Sequence, residues 1–171
     1  MDKKLVFEIN LEWTDLRDFY FYSFYKRPMG IFLTVIGTLM WGVIILYLMG
    51  FYKIINHFPS AQLILASSIT IFLPLSFIYL AKKNFTSRNR ITEKLIYKIN
   101  IETIEIKGET FETKLNWEKI HKVKETKNWF LIYTSKNIAN ILPKRTIDKD
   151  SIIHLKSLLK RVPNLKLKLI K

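Results

Sequence analysis

Two long apolar stretches, Met29–Phe51 and Ala61–Ala81, limit what this chain can fold into more than any other feature. A short polar break at residues 52–60 separates them, and Lys53 is the only formally charged side chain between Pro28 and Ala81. Each stretch exceeds the about 20 residues that an α-helix needs to cross about 30 Å of hydrocarbon. A backbone in lipid must satisfy its own hydrogen bonds, so the expectation is a two-helix transmembrane hairpin over residues 28–81. The competing arrangement is a pair of buried helices in a soluble bundle. It would need helices of this length to lack the charged face that soluble helices usually carry.

The flanks orient such a hairpin. Lys26 and Arg27 precede the first span, and Lys82, Lys83, Arg88 and Arg90 follow the second. A hairpin returns to the side on which it began, so both basic flanks share one face. The positive-inside bias makes that face cytoplasmic, with two spans and both termini inside. Residues 1–27 do not form a signal peptide, because Asp2, Glu8, Glu12, Asp15 and Asp18 interrupt any apolar core.

Charge follows the same division. The chain carries a formal net charge of +14. Residues 1–27 are balanced, with five basic and five acidic side chains, whereas residues 82–171 hold 22 basic and 9 acidic ones. A basic domain tethered to a bilayer is positioned to meet the anionic inner leaflet, at about 1 kcal/mol per Lys or Arg near the surface. The alternative is that scattered lysines only solvate the fold. Nucleic acid is not an expected partner, since the aromatics fall at core positions and no recognition motif is present. The absence of cysteine excludes disulfides, thiol catalysis and cysteine-based metal sites.

Within the first span, Gly30, Thr34, Thr38 and Gly42 recur every four residues, as do Ala66 and Thr70 in the second, followed by Pro74. Small residues at this spacing let helix backbones approach in lipid, so they are expected to form the hairpin seam or alternatively a homodimer face. Pro74 cannot donate to the carbonyl of Thr70, which predicts a kink.

Outside the spans the period changes to two. Leu5, Phe7, Ile9 and Leu11 alternate with polar residues as a half-buried strand does, and Thr14 or Asp15 can cap a helix running on toward the membrane. That strand has no local partner, so it should add to a sheet formed later in the chain. Strand patterns follow at Leu95–Ile99, Ile104–Ile106, Phe111–Trp117, Val123–Glu125, Trp129–Tyr133 and Ile138–Leu142, with a bulge or helical turn between Trp117 and Val123. After Pro143, Asp148 or Thr146 can cap a helix with Ile152, Leu155, Leu159 and Val162 on one stripe; Pro163 ends it. Leu165, Leu167 and Leu169 then alternate with lysines as a final strand or frayed tail. The expected fold is a membrane α+β protein, in which a two-helix hairpin carries a cytoplasmic antiparallel β-meander closed by a C-terminal helix, similar to the pleckstrin-homology (PH-like) type. The expected divisions are residues 1–27 (strand and membrane-approaching helix), 28–81 (hairpin) and 82–171 (basic linker and β-rich domain).

Tyr97-x-Ile99, Leu115-x-Trp117-x-x-Ile120, Val123, the aromatic strand Trp129–Tyr133 and the run Ile141-Leu142-Pro143-Lys144-Arg145, set behind a hairpin, resemble the bacterial YcxB-like membrane proteins. The likeness spans nearly the whole chain, and the Leu-Pro-Lys-Arg end is its most specific piece. The resemblance implies a small bacterial inner-membrane protein with a cytoplasmic β-rich domain and transfers no activity. Some small membrane proteins of this general kind are similar to immunity factors that guard a producer cell against its own bacteriocin or toxin, which supplies an alternative function.

Enzyme chemistry has no foothold in the motifs. There is no glycine-rich phosphate loop and no HExxH, and His57, His121 and His154 lack metal-ligand spacing. No catalytic residue, cofactor or metal is expected. Lys144 and Arg145 are the candidate anion or lipid-headgroup site, because they sit where a strand ends at a proline and a helix begins; the alternative is that both are merely solvated. Lys82, Lys83, Arg88 and Arg90 would add to that site from the tether. The functional expectation is a non-enzymatic binding module that holds anionic lipid, an unidentified protein partner, or both.

Overall fold

A computed structural model describes residues 4–51, 57–87 and 92–170. The chain forms two compact units, Leu16–Ser87 and Met1–Asp15 together with Arg88–Lys171. The divisions expected at 27/28 and 81/82 therefore move to 15/16 and 87/88. One cause is that helix α1 (Trp13–Tyr25) packs its later residues within the helical unit, where Phe21 and Phe24 sit 5.5 and 5.3 Å from the Phe77 ring. Asn84 also donates to the Tyr20 hydroxyl at 2.9 Å. The other is that the last helix does not stop at Ala81 but runs on to Ser87.

Two further helices fill that unit, α2 (Pro28–Leu48) and α3 (Ser60–Ser87), both long and apolar enough to cross a membrane. Pro28 starts α2 where a missing N–H costs nothing. Gly50 ends it at φ 78°, with its N–H donating to the Tyr47 carbonyl and that of Phe51 to Leu46. This left-handed stop favours glycine and satisfies the last carbonyls. In α3, a π-helical turn at Ser68–Phe72 stands immediately before Pro74. The wider turn is how the helix absorbs the proline's missing donor.

The seam between α2 and α3 differs from the four-residue ridge. The buried residues of α2 are Gly30, Gly37 and Ile44, seven apart, and of these Gly37 lies against Ile69 and Thr70 of α3. Trp41 Nε1 reaches Thr70 Oγ1 at 3.0 Å, and Ala66 is fully buried. Ala66 and Thr70 thus lie where the sequence placed them. Thr38 is exposed, Gly42 has open space beside its Cα, and Gly30 packs against the Phe24 backbone rather than α3. A strict four-residue step advances about 40° around a helix at 3.6 residues per turn, so it winds off any single face. A seven-residue step drifts only about 20°. The Thr34 and Thr38 hydroxyls bond back to the carbonyls of Gly30 and Thr34 instead of bridging helices.

A Cβ on Gly37 would lie 3.1 Å from both Ile69 Cγ2 and Thr70 Cγ2. Gly37→Leu is therefore expected to destabilise the hairpin by about 1–3 kcal/mol, the usual range for overpacking. Gly42→Leu should cost little. Thermal unfolding in detergent compares them, and equal losses would contradict this seam.

The other unit is built on two four-stranded sheets. The first has the order β1 (Leu5–Ile9), β2 (Leu95–Ile99), β3 (Thr103–Lys107), β4 (Glu112–Asn116), all antiparallel. The N-terminal strand finds its partner in β2, with Leu5 opposite Ile99 and Ile9 opposite Leu95. Gly108 allows the β3–β4 turn, because a Cβ there would strike the Glu93 carboxylate and the Phe111 ring. Glu93 itself accepts from the N–H groups of Glu109 and Thr110. The second sheet has the order β7 (Ala139–Pro143), β6 (Trp129–Tyr133), β5 (Lys122–Glu125), β8 (Leu167–Lys168). The single antiparallel meander is thus corrected on two points. A 3₁₀ turn at Trp117–Lys119, where the apolar spacing lengthens to three, divides the strands into two sheets, and β8 joins β5 in parallel. Trp129 to Ile132 are buried in succession. Successive strand side chains point to opposite faces, so β6 is covered on both. Helix α4 (Lys149–Arg161) starts at Asp148, whose carboxylate accepts from the Ser151 N–H at 2.8 Å, and buries Leu155, Leu158 and Leu159.

Candidate functional site

Lys144 and Arg145 occupy a 3₁₀ turn, Lys144–Thr146, entered from Pro143. Neither faces solvent as a free cation. Lys144 Nζ lies 2.6 Å from Glu125 Oε1 and over the Phe130 ring. Lys156 Nζ meets the other Glu125 oxygen at 3.0 Å, and the Ile170 N–H donates to it at 2.8 Å. The Glu125 side chain is 3% exposed, a position untenable for an unpaired carboxylate. Burial pushes its pKa up, but the hydrogen bonds from Lys144 and Lys156 outweigh this and hold it below the usual carboxylate value.

Arg145 forms a fork on Asp15, Nη1 to Oδ1 at 2.6 Å and Nη2 to Oδ2 at 2.8 Å, and also meets Glu12 Oε1 at 3.2 Å and the Asn10 carbonyl at 3.0 Å. Hydrogen bonding to Asp15 holds the guanidinium above its usual pKa. Asp15 was a candidate cap. It instead sits in the first turn of α1, accepts back from the Glu12 N–H, and receives Trp129 Nε1 at 3.3 Å. Where an anion site is expected at Lys144–Arg145, the fold supplies both cations with carboxylates of its own. Their work is to tie the β7–α4 junction to β5 and to the chain after β1.

Lys82 and Lys83 lie on the exposed last turns of α3, with Lys83 Nζ 5.8 Å from the Tyr79 ring centre. Arg88 and Arg90 lie outside the described residues. Several exposed cations that the sequence did not single out lie in α4 and the tail. Residues 127–171 hold eleven basic and two acidic side chains, and Lys149, Lys160, Arg161, Lys166 and Lys168 are all exposed.

A cleft of about 590 Å³ opens at the junction of the two sheets and the end of α4, walled by Ile101, Trp117, Ile120 and Val162 with Glu102 and Glu118 beside them. Trp117 is a buried wall residue whose Nε1 donates to the Asn100 carbonyl at 2.9 Å. This hollow has no signature along the chain, because its sides come from strand ends and a helix end brought together by the fold. Among the described residues, no group of three His, Asp or Glu could hold a metal ion.

Comparison with known proteins touches only the β-rich unit. Residues 100–159 match the family model of the YcxB-like proteins. No curated protein and no solved structure matches the chain. The matched span runs from the β2–β3 turn into the last turns of α4; it leaves out β1 and the two apolar helices, so it is narrower than the likeness drawn from the motifs. It contains the 3₁₀ turn at Trp117, the strand Trp129–Tyr133 and the Leu142-Pro143-Lys144-Arg145 run that ties the junction. By this match the chain carries a YcxB-like domain in its C-terminal part.

Proposed function

We propose that this chain is a non-enzymatic membrane-anchored binding module, in which the hairpin holds a PH-like cytoplasmic domain against the anionic leaflet of a bacterial inner membrane. Only 11% and 6% of the apolar windows of α2 and α3 are buried within the protein, which supports lipid as their solvent rather than a soluble core. Two sheets followed by a C-terminal helix support the PH-like reading. The observation that carries the binding role is the segregation of charge. Lys144 and Arg145 pair with carboxylates inside the fold, while Lys149, Lys160, Lys166 and Lys168 stand exposed on one C-terminal segment. The same domain offers its cleft to a protein partner.

The test uses the β-rich unit, with residues 16–87 replaced by a flexible linker, in sedimentation with vesicles. Binding is expected to anionic but not to zwitterionic vesicles, and to weaken as salt shortens the Debye length. Replacing Lys160, Lys166 and Lys168 with glutamate removes at least about 3 kcal/mol at about 1 kcal/mol per charge, a loss of about 100-fold or more at low salt. Equal binding to both vesicle types, or none at low salt, would sink the lipid reading.

A further inference from the structure

The segment after α4 folds back onto the free edge of β5. Val123 opposes Leu167 and Lys124 opposes Lys168 in a parallel ladder, and the Val123 N–H donates to the Lys166 carbonyl at 2.9 Å. Beyond the ladder, two side chains read the backbone of one residue. Glu125 accepts the Ile170 N–H at 2.8 Å, and Lys156 Nζ donates to the Ile170 carbonyl at 2.8 Å. The seat is thus built to take an extended strand, whose backbone N–H at Ile170 meets a buried carboxylate already held by Lys144 and Lys156.

The tail's hold on this seat is slight. The ladder is two residues long, and Leu165, Leu167 and Leu169 are half-buried rather than buried. Segments with so few buried apolar contacts open at small cost. The hinge is short and held in an uncommon conformation: Pro163 fixes the turn, and Asn164 has φ 57°, the one positive value at a non-glycine position among the described residues. Short hinges under strain favour exchange of the element they carry. An empty seat would leave the β5 edge unpaired, and the segment known to fit it is the same tail from another copy.

We propose that residues 165–170 form an exchangeable latch strand, supplied in trans by a second copy of this chain to give a tail-exchanged homodimer. Reciprocal exchange restores every seat contact, and anchoring of both copies in one membrane raises their effective concentration. This interface is separate from any pairing of the helices and goes beyond the lipid-binding role.

The chain has no cysteine, so crosslinking is clean. Full-length copies carrying Lys124→Cys and Lys168→Cys, each with its own affinity tag, are co-expressed and oxidised in membranes. Neighbouring strands bring such pairs within disulfide range. A covalent dimer bearing both tags is expected, reduced severalfold when Asn164→Gly relaxes the hinge. Absence of the mixed disulfide overturns exchange. A second measurement does not depend on disulfide geometry: differently tagged intact copies should co-purify, and copies truncated after Asn164 should not. Co-purification that survives truncation of both copies would place the dimer contact elsewhere and overturn the proposal.

Discussion

Exchanging Arg145 for alanine should lower the stability of the β-rich unit by about 2–3 kcal/mol. Removing one partner of a buried ion pair costs about 3–5 kcal/mol, because the remaining charge is stranded. Here the Asp15 side chain is 5% exposed but that of Arg145 is 40% exposed, so water can take up part of the loss. Asp15 would keep the Glu12 N–H and Trp129 Nε1, which moderates the penalty further. The acid side of the stability profile tests the companion tie. Glu125 has its pKa depressed in the fold, so its contribution is present above the unfolded carboxylate value and is lost as pH falls through the lower folded value. Glu125→Gln should therefore remove part of the acid sensitivity while lowering stability at neutral pH. Chemical denaturation at neutral and acid pH, followed through tryptophan fluorescence, measures both effects. Unchanged stability in Arg145→Ala would mean that the fork on Asp15 is incidental and would reopen Arg145 as a ligand residue.

The difference between these residues as a ligand site and as structural ties shows what a linear pattern can hold. Strands were legible because side-chain direction repeats every two residues, and β1 could be assigned to a distant sheet because five alternating residues with no neighbour must pair somewhere. Helix α4 was legible from Asp148 and the stripe through Leu155 and Leu159. The partners of Lys144 and Arg145 were not. Asp15 is 130 residues from Arg145 and Glu125 is 19 from Lys144, and nothing in local composition links them. A Pro-Lys-Arg run beside a helix start looks the same whether its charges meet phosphate or carboxylate. On α2 the seam departs from the ridge for a geometric reason, since a four-residue ridge is conspicuous in text but leaves the contact face within a few turns. The parallel placement of β8 was equally hidden. Alternation predicts a strand but carries no direction, and β5's free edge exists only once β6 is known to cover the other side.

A chain begun at residue 92 should fail to fold, whereas residues 1–15 spliced to 88–171 should yield a soluble, cooperatively folding domain. The first part follows from what β1 and its sequel bury. Phe7 and Leu11 are nearly inaccessible and Ile9 completely so, and each such side chain removed from a core costs about 2–5 kcal/mol. Their loss would also uncover the β2 edge and strand Arg145 without Asp15. The sum exceeds the 5–15 kcal/mol by which whole domains are commonly stable, or comes close to it. The second part follows because the omitted residues, 16–87, form their own compact unit, so their removal leaves the sheets and α4 intact. A Gly/Ser linker of about 20 residues, which reaches about 25 Å on average, joins residues 15 and 88 in the splice. Urea unfolding of the splice is expected to be a single transition. In the fragment begun at residue 92, amide exchange should be fast throughout β2 and β3. A stable, protected fragment would show that the N-terminal strand only decorates a sheet already complete, and that the β-rich domain begins at β2 rather than at β1.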